Sequence, residues 1–306
     1  MKSLSIVICK YNKALFEQCV ASIKHTLNNH YELVVIDNTN NDYDIFEAYN
    51  KGVKRSTGDV ICFIHEDVIC HEQDWNKKVM KHFDNDIDLG MIGLAGGASY
   101  HKFAWSWNQT YYKEDYAVSL ASIKEGKLSH NSTGFNSNTK QVLIVDGLWF
   151  CIKRELLISH QIRFDTNTYS GFHRYDYDIS FQIAQISKIK VVNDIKIEHK
   201  SSGTRNRDWM QANIDFQKKW GYILPCKIQD GKIGLVPLKI SPKDIRALYH
   251  FIYLMKEYGF TKCDMNFFIR RNLFKTAAMP IIQFKLILIY ILGFRWFDKM
   301  KEKFPF

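Results

Sequence analysis

Asp59-Val60-Ile61-Cys62-Phe63-Ile64 runs directly into His65-Glu66-Asp67. An unbroken apolar run, largely β-branched, reads as a strand buried on both faces. Its abrupt end in carboxylates puts them at the carboxyl edge of a sheet, where open α/β folds bind ligands. Carboxylates are hard oxygen ligands, suited to Mg²⁺ or Mn²⁺, and such ions commonly hold a diphosphate. A turn or helix-capping acid after a strand is the plainer alternative, and the surrounding chain decides between them.

Working outward, strands and helices alternate. Strands are expected over 4–9, 32–37, 59–64 and 89–95, and helices over 13–26, 43–55 and 73–83. The first helix shows Leu15, Phe16, Cys19, Val20 and Ile23 at helical spacing. This alternation predicts βαβ units and a Rossmann-like, mostly parallel sheet with helices on both faces. Tyr11-Asn12, Asp37-Asn38 and His65-Glu66-Asp67 then all fall at one sheet edge, after strands one, two and three. Gly96-Gly97 is expected to break the fourth strand. Residues 98–140 show little period and read as an irregular excursion. A strand resumes over 141–145, a short helix over 154–159, a longer one over 175–186, and short strands over 190–192 and 195–197.

Beyond the first cluster, other residues carry chemistry. Tyr175-Asp176-Tyr177-Asp178 places two carboxylates at the start of a helix, as candidates for a general base or as helix caps. Asp146-Gly147 follows a strand, where backbone approaches a ligand easily; a plain turn reads almost as well. Trp149 offers a ring on which a ligand can stack. Arg205 and Arg207, on a loop with Gly203, suit a lid over a diphosphate or simply a solvated surface.

Composition limits the classes. The 306 residues are 46% hydrophobic and suffice for one large domain or a domain with an appendage. Seven cysteines without a CxxC pair read as reduced core thiols and point to a cytoplasmic setting. No secretory signal is evident at the start. The net charge of +10 is uneven: residues 241–306 hold twelve Lys/Arg and five Asp/Glu, 12 − 5 = +7. That segment is also apolar and aromatic over 277–294, which disfavours nucleic acid as a partner. Attachment at the inner membrane surface, packing on the chain's own core or against a second copy in a homodimer, and a membrane span are the roles left open.

The order of these motifs, with Asn50-Lys51-Gly52, Gly58-Asp59, Val145-Asp146-Gly147, Phe172 to Asp178 and Glu198-His199-Lys200-Ser201-Ser202-Gly203, resembles the GT-A glycosyltransferases of family 2. It is most similar to the branch named after the streptomycin-biosynthesis StrF protein, over residues 1–220. The resemblance implies a GT-A catalytic domain over 1–220, with a nucleotide-binding half (1–97) and an acceptor half (98–220), followed by a helical basic extension over 221–306. It implies an inverting transfer from a nucleoside diphosphate sugar, UDP-linked, to a glycan or lipid-linked glycan in bacterial surface polysaccharide synthesis. Asp67 would bind Mn²⁺ or Mg²⁺, with His199 as a further metal ligand or diphosphate contact. Glu66 would meet the ribose or a metal-bound water. Tyr11, Asn12, Asp37 and Asn50 would hold the nucleoside, and Asp146, Gly147 and Trp149 the sugar. Asp176 would be the base, with Asp178 orienting the site. The chain departs from the family at His65-Glu66, where Asp is commoner, and at Tyr175, which stands for Glu; His65 is expected only to shape the turn. A nucleotidyltransferase is the first rival, but Cys9-Lys10-Tyr11-Asn12 lacks the glycine run it needs. A catalytically degenerate binding module is the second.

Overall fold

The computed structural model describes residues 3–110, 115–124, 126–200, 203–272 and 280–293. The chain divides into two compact units. The first is Met1–Tyr100, Ser106–Thr204 and Lys227–Val236; the second is His101–Trp105, Arg205–Cys226 and Pro237–Phe306. Helix 207–220 goes with the second unit, where it buries Trp209, Met210 and Ile214 in the C-terminal helical core.

The first unit opens with β1 (Leu4–Lys10), α1 (Lys13–Thr26), β2 (Tyr31–Asp37), α2 (Ile45–Arg55) and β3 (Val60–Ile64). β4 (Val68–Cys70), α3 (Trp75–Asn85), β5 (Leu89–Gly93), β6 (Ala95–Gly97) and β7 (Ser99–Tyr100) follow. Next come β8 (Tyr116–Lys124), β9 (Lys127–Thr133), β10 (Thr139–Val142), β11 (Ile144–Val145) and β12 (Trp149–Lys153). α4 (Arg154–Ser159), α5 (Tyr175–Ala184), β13 (Lys188–Val192) and β14 (Ile197–His199) complete the elements that build the site.

Local chemistry starts α1 where the sequence predicts and α2 two residues after the expected 43. The Asn12 side chain accepts from the Leu15 N–H at 3.2 Å and caps α1. Asp44 and Glu47 form a capping box that starts α2. The central sheet runs β10-β13-β5-β12-β3-β1-β2. β1 is parallel to β2 and β3, and β13 is parallel to β5. β12 enters antiparallel between β3 and β5, so the sheet is mixed where a mostly parallel one is expected. All five residues of β3 are buried, and Ile6, Ile8, Cys62, Ile64, Trp75 and Trp149 share one core.

A second sheet runs β11-β6-β8-β14-β4, with β9 on β8. Gly96-Gly97 does not end a strand here but forms β6. A Cβ on Gly96 would collide with the Ile144 carbonyl oxygen, so only glycine lets β11 close on β6. The stretch expected to be irregular, 98–140, contains the antiparallel β8–β9 hairpin.

The second unit contributes α6 (Arg207–Trp220), followed by β15 (Cys226–Ile228) and β16 (Leu235–Pro237) at its junctions with the first. Its remaining helices are α7 (Pro242–Glu257), α8 (Lys262–Asn272) and α9 (Pro280–Leu292). Met210, Leu248, Phe251, Phe268, Leu286 and Ile289 form its core. Pro at the first turn and the Ser241–Asp244 capping box start α7. Among the described residues, no helix is long and apolar enough to cross a membrane. α9 has 13 residues, about 20 Å of helix against about 30 Å of hydrocarbon. The basic aromatic end of the expected membrane or dimer segment, 294–306, lies outside the described residues.

Candidate active site

The register of the sheets assembles the site. Ile8 pairs with Ile64, so β1 and β3 release Tyr11-Asn12 and His65-Glu66-Asp67 at the same edge. Glu66 locks the two together: its carboxylate accepts from the Tyr11 N–H at 2.8 Å and from the Asn12 N–H at 2.8 and 3.0 Å. The antiparallel β12 pairs Trp149 with Ile64, and the His65 N–H donates to the Leu148 carbonyl at 3.0 Å. Asp146-Gly147 is thereby carried to the same edge. In the second sheet, β14 pairs antiparallel with β4, with His199 opposite Val68. The Lys200 N–H donates to the Asp67 carbonyl at 3.2 Å.

The result is a compact group. His65, Asp67 and His199 bring one ligand atom each to within 4.8 Å of one another. His199 Nε2 lies 3.3 Å from Asp67 Oδ2, and His65 Nδ1 lies 3.9 Å from Asp67 Oδ1. The other His65 nitrogen, Nε2, shares a short hydrogen bond with the Tyr175 hydroxyl, which fixes the ring and turns Nδ1 towards Asp67. Burial, foremost, holds the His65 imidazole below its ordinary value against the pull of Asp67. For His199, burial lowers the value, but the Asp67 carboxylate outweighs it and the net direction is up. A neutral imidazole is the ligand form. Two imidazoles and a carboxylate, a mixed nitrogen and oxygen set, fit a first-row transition-metal dication such as Mn²⁺. The sequence reading pairs Asp67 with His199 and gives His65 only the turn; the fold also sets the His65 ring beside them, 5.8 Å between imidazole centroids.

Beside this group lies a cleft of about 530 Å³ lined by Tyr11, Asn41, Tyr49, Glu66, Phe172 and Tyr175, among others. Tyr11 is 57% exposed and Phe172 45% exposed, so two aromatic rings stand open at it. Exposed aromatics of this kind suit the face of a base or sugar. Phe172 was visible only as part of a motif.

The carboxylates divide by their partners. Asp176 is buried at the start of α5; Oδ2 accepts from the Gly147 N–H at 2.9 Å and Oδ1 from the Tyr177 N–H at 3.0 Å. Burial first, and then the charge of Asp146, push its carboxyl up to about 7 against the opposing Arg174. Asp178 accepts from the Tyr169 hydroxyl at 3.2 Å and the Gln182 amide at 2.8 Å, which ties α5 to its surroundings. Asp146 accepts from the Trp107 indole at 2.7 Å and the Leu148 N–H at 3.1 Å.

Other expected site residues are employed elsewhere. Trp149 is fully buried on β12, edge-on to Trp75 with ring centroids 5.8 Å apart, because it points into the core that packs on this face of the sheet. Asn50 spends its amide on the Phe164 backbone, donating at 2.7 Å and accepting at 3.1 Å. Asp37 holds Lys10 at 2.8 Å and Thr39 at 2.6 Å; the Lys10 bond leads in keeping its carboxyl well below the usual range. Arg205 and Arg207 belong to the second unit, where Arg205 lies over the Trp209 ring and Arg207 donates to the Tyr258 carbonyl at 2.7 Å.

The sequence profile of the "Glycosyltransferase like family" matches residues 5–219. No curated protein matches the chain in sequence. Among solved structures, GalNAc-T7 with UDP, GalNAc and Mn²⁺ is similar at a TM-score of 0.51 and 10% identity, over 100% of this chain and 59% of its own. Mannosyltransferase PcManGT from Pyrobaculum calidifontis, in complex with GDP-Man and Mn²⁺, has a TM-score of 0.48 and 13% identity, over 98% of this chain and 84% of its own. The likeness to GalNAc-T7 shows the fold to be GT-A. With a profile match across most of its length, the chain belongs to the glycosyltransferase-like family.

Proposed function

We propose that the chain is an inverting, metal-dependent glycosyltransferase that moves a sugar from a nucleoside diphosphate donor, UDP-linked, to a glycan or lipid-linked glycan acceptor. The observation that carries this reading is the convergence of His65, Asp67 and His199 beside the aromatic cleft, with Asp176 at the same sheet edge. A divalent ion there supplies charge neutralisation for a departing diphosphate. The chain's own residues do the rest. Tyr11 and Phe172 receive the nucleoside, and Glu66 holds the Tyr11-Asn12 backbone in place for it. Tyr175 orients His65. Asp176, with its carboxyl near 7, takes the proton of the acceptor hydroxyl as that oxygen attacks from the side opposite the leaving group. The acceptor role in bacterial surface polysaccharide and the StrF-type assignment rest on the motif order.

The test is titration of UDP and GDP with and without Mn²⁺, followed by a donor-hydrolysis screen of UDP- and dTDP-sugars. Asp67→Ala should abolish metal-dependent nucleotide binding. Asp176→Asn should keep donor binding and lose transfer. Absence of metal-dependent nucleotide binding together with absence of donor hydrolysis would sink the reading, and near-native transfer by Asp176→Asn would remove the base assignment.

A further inference from the structure

The helix α9 is apolar on the side it turns to water as well as on the side it buries. Leu286 and Ile289 are buried in the core of the second unit. At about 100° per residue, Ile281, Phe284, Leu288 and Ile291 fall within an arc of about 80° on the side turned away from that pair. Ile281 is 68% exposed, Phe284 54% and Ile291 61%, and Leu288 is half-buried. A core-packed surface helix ordinarily turns charged and polar residues outward. In the same core, α7 does so and exposes Lys243, Arg246, His250 and Glu257. Its neighbour α9 presents a stripe of large apolar side chains at i, i+3, i+7 and i+10 instead, and a contiguous apolar patch of this kind marks an interaction surface.

Length and charge narrow what covers the stripe. The helix is too short to span a bilayer, so a lipid partner must receive it lying flat. Its sequence contains Lys285 and no carboxylate. The chain continues through 294–306 with Arg295, Lys299, Lys301 and Lys303 against Asp298 and Glu302, 4 − 2 = +2, interleaved with Phe294, Trp296, Phe297 and Phe304. A twofold dimer through the stripe would set two such positive segments against each other, because an isologous interface brings identical surfaces together. An anionic bilayer meets the same charge with attraction. Aromatic side chains beside Lys and Arg also suit the boundary between headgroups and acyl chains.

We propose that the outward face of α9 docks in the interface of an anionic bilayer, with the helix axis in the membrane plane. This surface belongs to the second unit and holds whether or not the first unit transfers a sugar. Flotation of the full chain with vesicles tests it, using phosphatidylcholine alone and equal parts of phosphatidylcholine and phosphatidylglycerol. The mixed vesicles should bind the chain at least about tenfold more tightly than the neutral ones, and added salt should weaken that binding. Phe284→Glu and Ile281→Glu change exposed positions and leave Leu286 and Ile289 in place. Each should keep the native melting temperature and lose mixed-vesicle binding by about tenfold or more. Ile87→Glu, which changes an isoleucine 87% exposed on the first unit, should bind like the native chain. No vesicle binding, equal binding to both vesicles, or native binding by both stripe variants would each overturn the proposal. So would a lower melting temperature in both, which would show the stripe to be covered by the chain itself, or a solution dimer that both dissociate.

Discussion

Gly147→Ala tests how the site is held together. A Cβ at residue 147 would stand 2.6 Å from Tyr175 Cζ and 2.9 Å from Cε2, and nearer still to the hydroxyl, whereas ordinary contact begins at 3.4 Å. The ring's Cζ must therefore retreat by about 3.4 − 2.6 = 0.8 Å, and its hydroxyl by more. It has little room, because Tyr49 and Phe46 pack edge-on to it at 5.4 and 6.3 Å, and its hydroxyl is bonded to His65. Overpacking of this kind costs about 1–3 kcal/mol, a loss of a few degrees in melting temperature for a chain this long, at roughly 2–4 °C per kcal/mol. The displaced hydroxyl also releases the His65 ring. Loss of an outer-shell partner typically weakens a metal site about 10–100-fold. Thermal melts and Mn²⁺ titration followed by electron paramagnetic resonance measure the two effects separately. The pair Gly147→Ala/Tyr175→Phe removes the nearest clashing atom, so it should regain part of the stability without regaining the Mn²⁺ affinity. If Gly147→Ala melts and binds Mn²⁺ like the native chain, the linkage from Gly147 through Tyr175 to His65 is wrong.

Three further outcomes are expected. If Asp176 is the base, kcat/KM should rise with pH through about 7, because the carboxyl must be ionised to accept a proton; Arg174→Met should move that acid limb to higher pH, since Arg174 favours the ionised form. Glu66→Gln should raise the donor KM and lower stability by about 1–2 kcal/mol, because an amide NH₂ then faces a backbone N–H of Tyr11 or Asn12; unchanged donor KM would show that this tie does not shape the cleft. Trp149→Ala should cost about 3–5 kcal/mol in denaturant unfolding, whereas a loss of donor affinity in an otherwise stable variant would restore the stacking role that burial denies it.

Local signals made the first half of the fold legible. The period of Leu15, Phe16, Cys19 and Ile23 and the Asn12 cap located α1, which begins and ends where the pattern does. The run into His65-Glu66-Asp67 located β3 and the site edge. What escaped depends on pairing between distant segments. Nothing near Trp149 states that its strand runs antiparallel between β3 and β5, so its ring looked available. Gly96-Gly97 looked like a break because its reason, the approach of Ile144, lies 48 residues on (144 − 96). His65 looked like a turn residue because its neighbours Tyr175 and His199 are supplied by α5 and β14. Asn50 carries a donor and an acceptor, and sequence does not say that Phe164 takes both.

The short β4–β14 pairing has a temporal consequence. It joins Asp67 to a histidine that is 199 − 67 = 132 residues later in the chain. During synthesis, the growing polypeptide holds His65 and Asp67, two of the three candidate ligands, long before His199 exists. A fragment ending before β14 should therefore ignore Mn²⁺, however well its first strands fold. Once β14 docks, an ion held from both sides acts as a staple across that long loop, and its affinity adds directly to the stability of the closed sheet. With Mn²⁺ bound there, cation supply would become a condition on the persistence of this unit as well as on its chemistry.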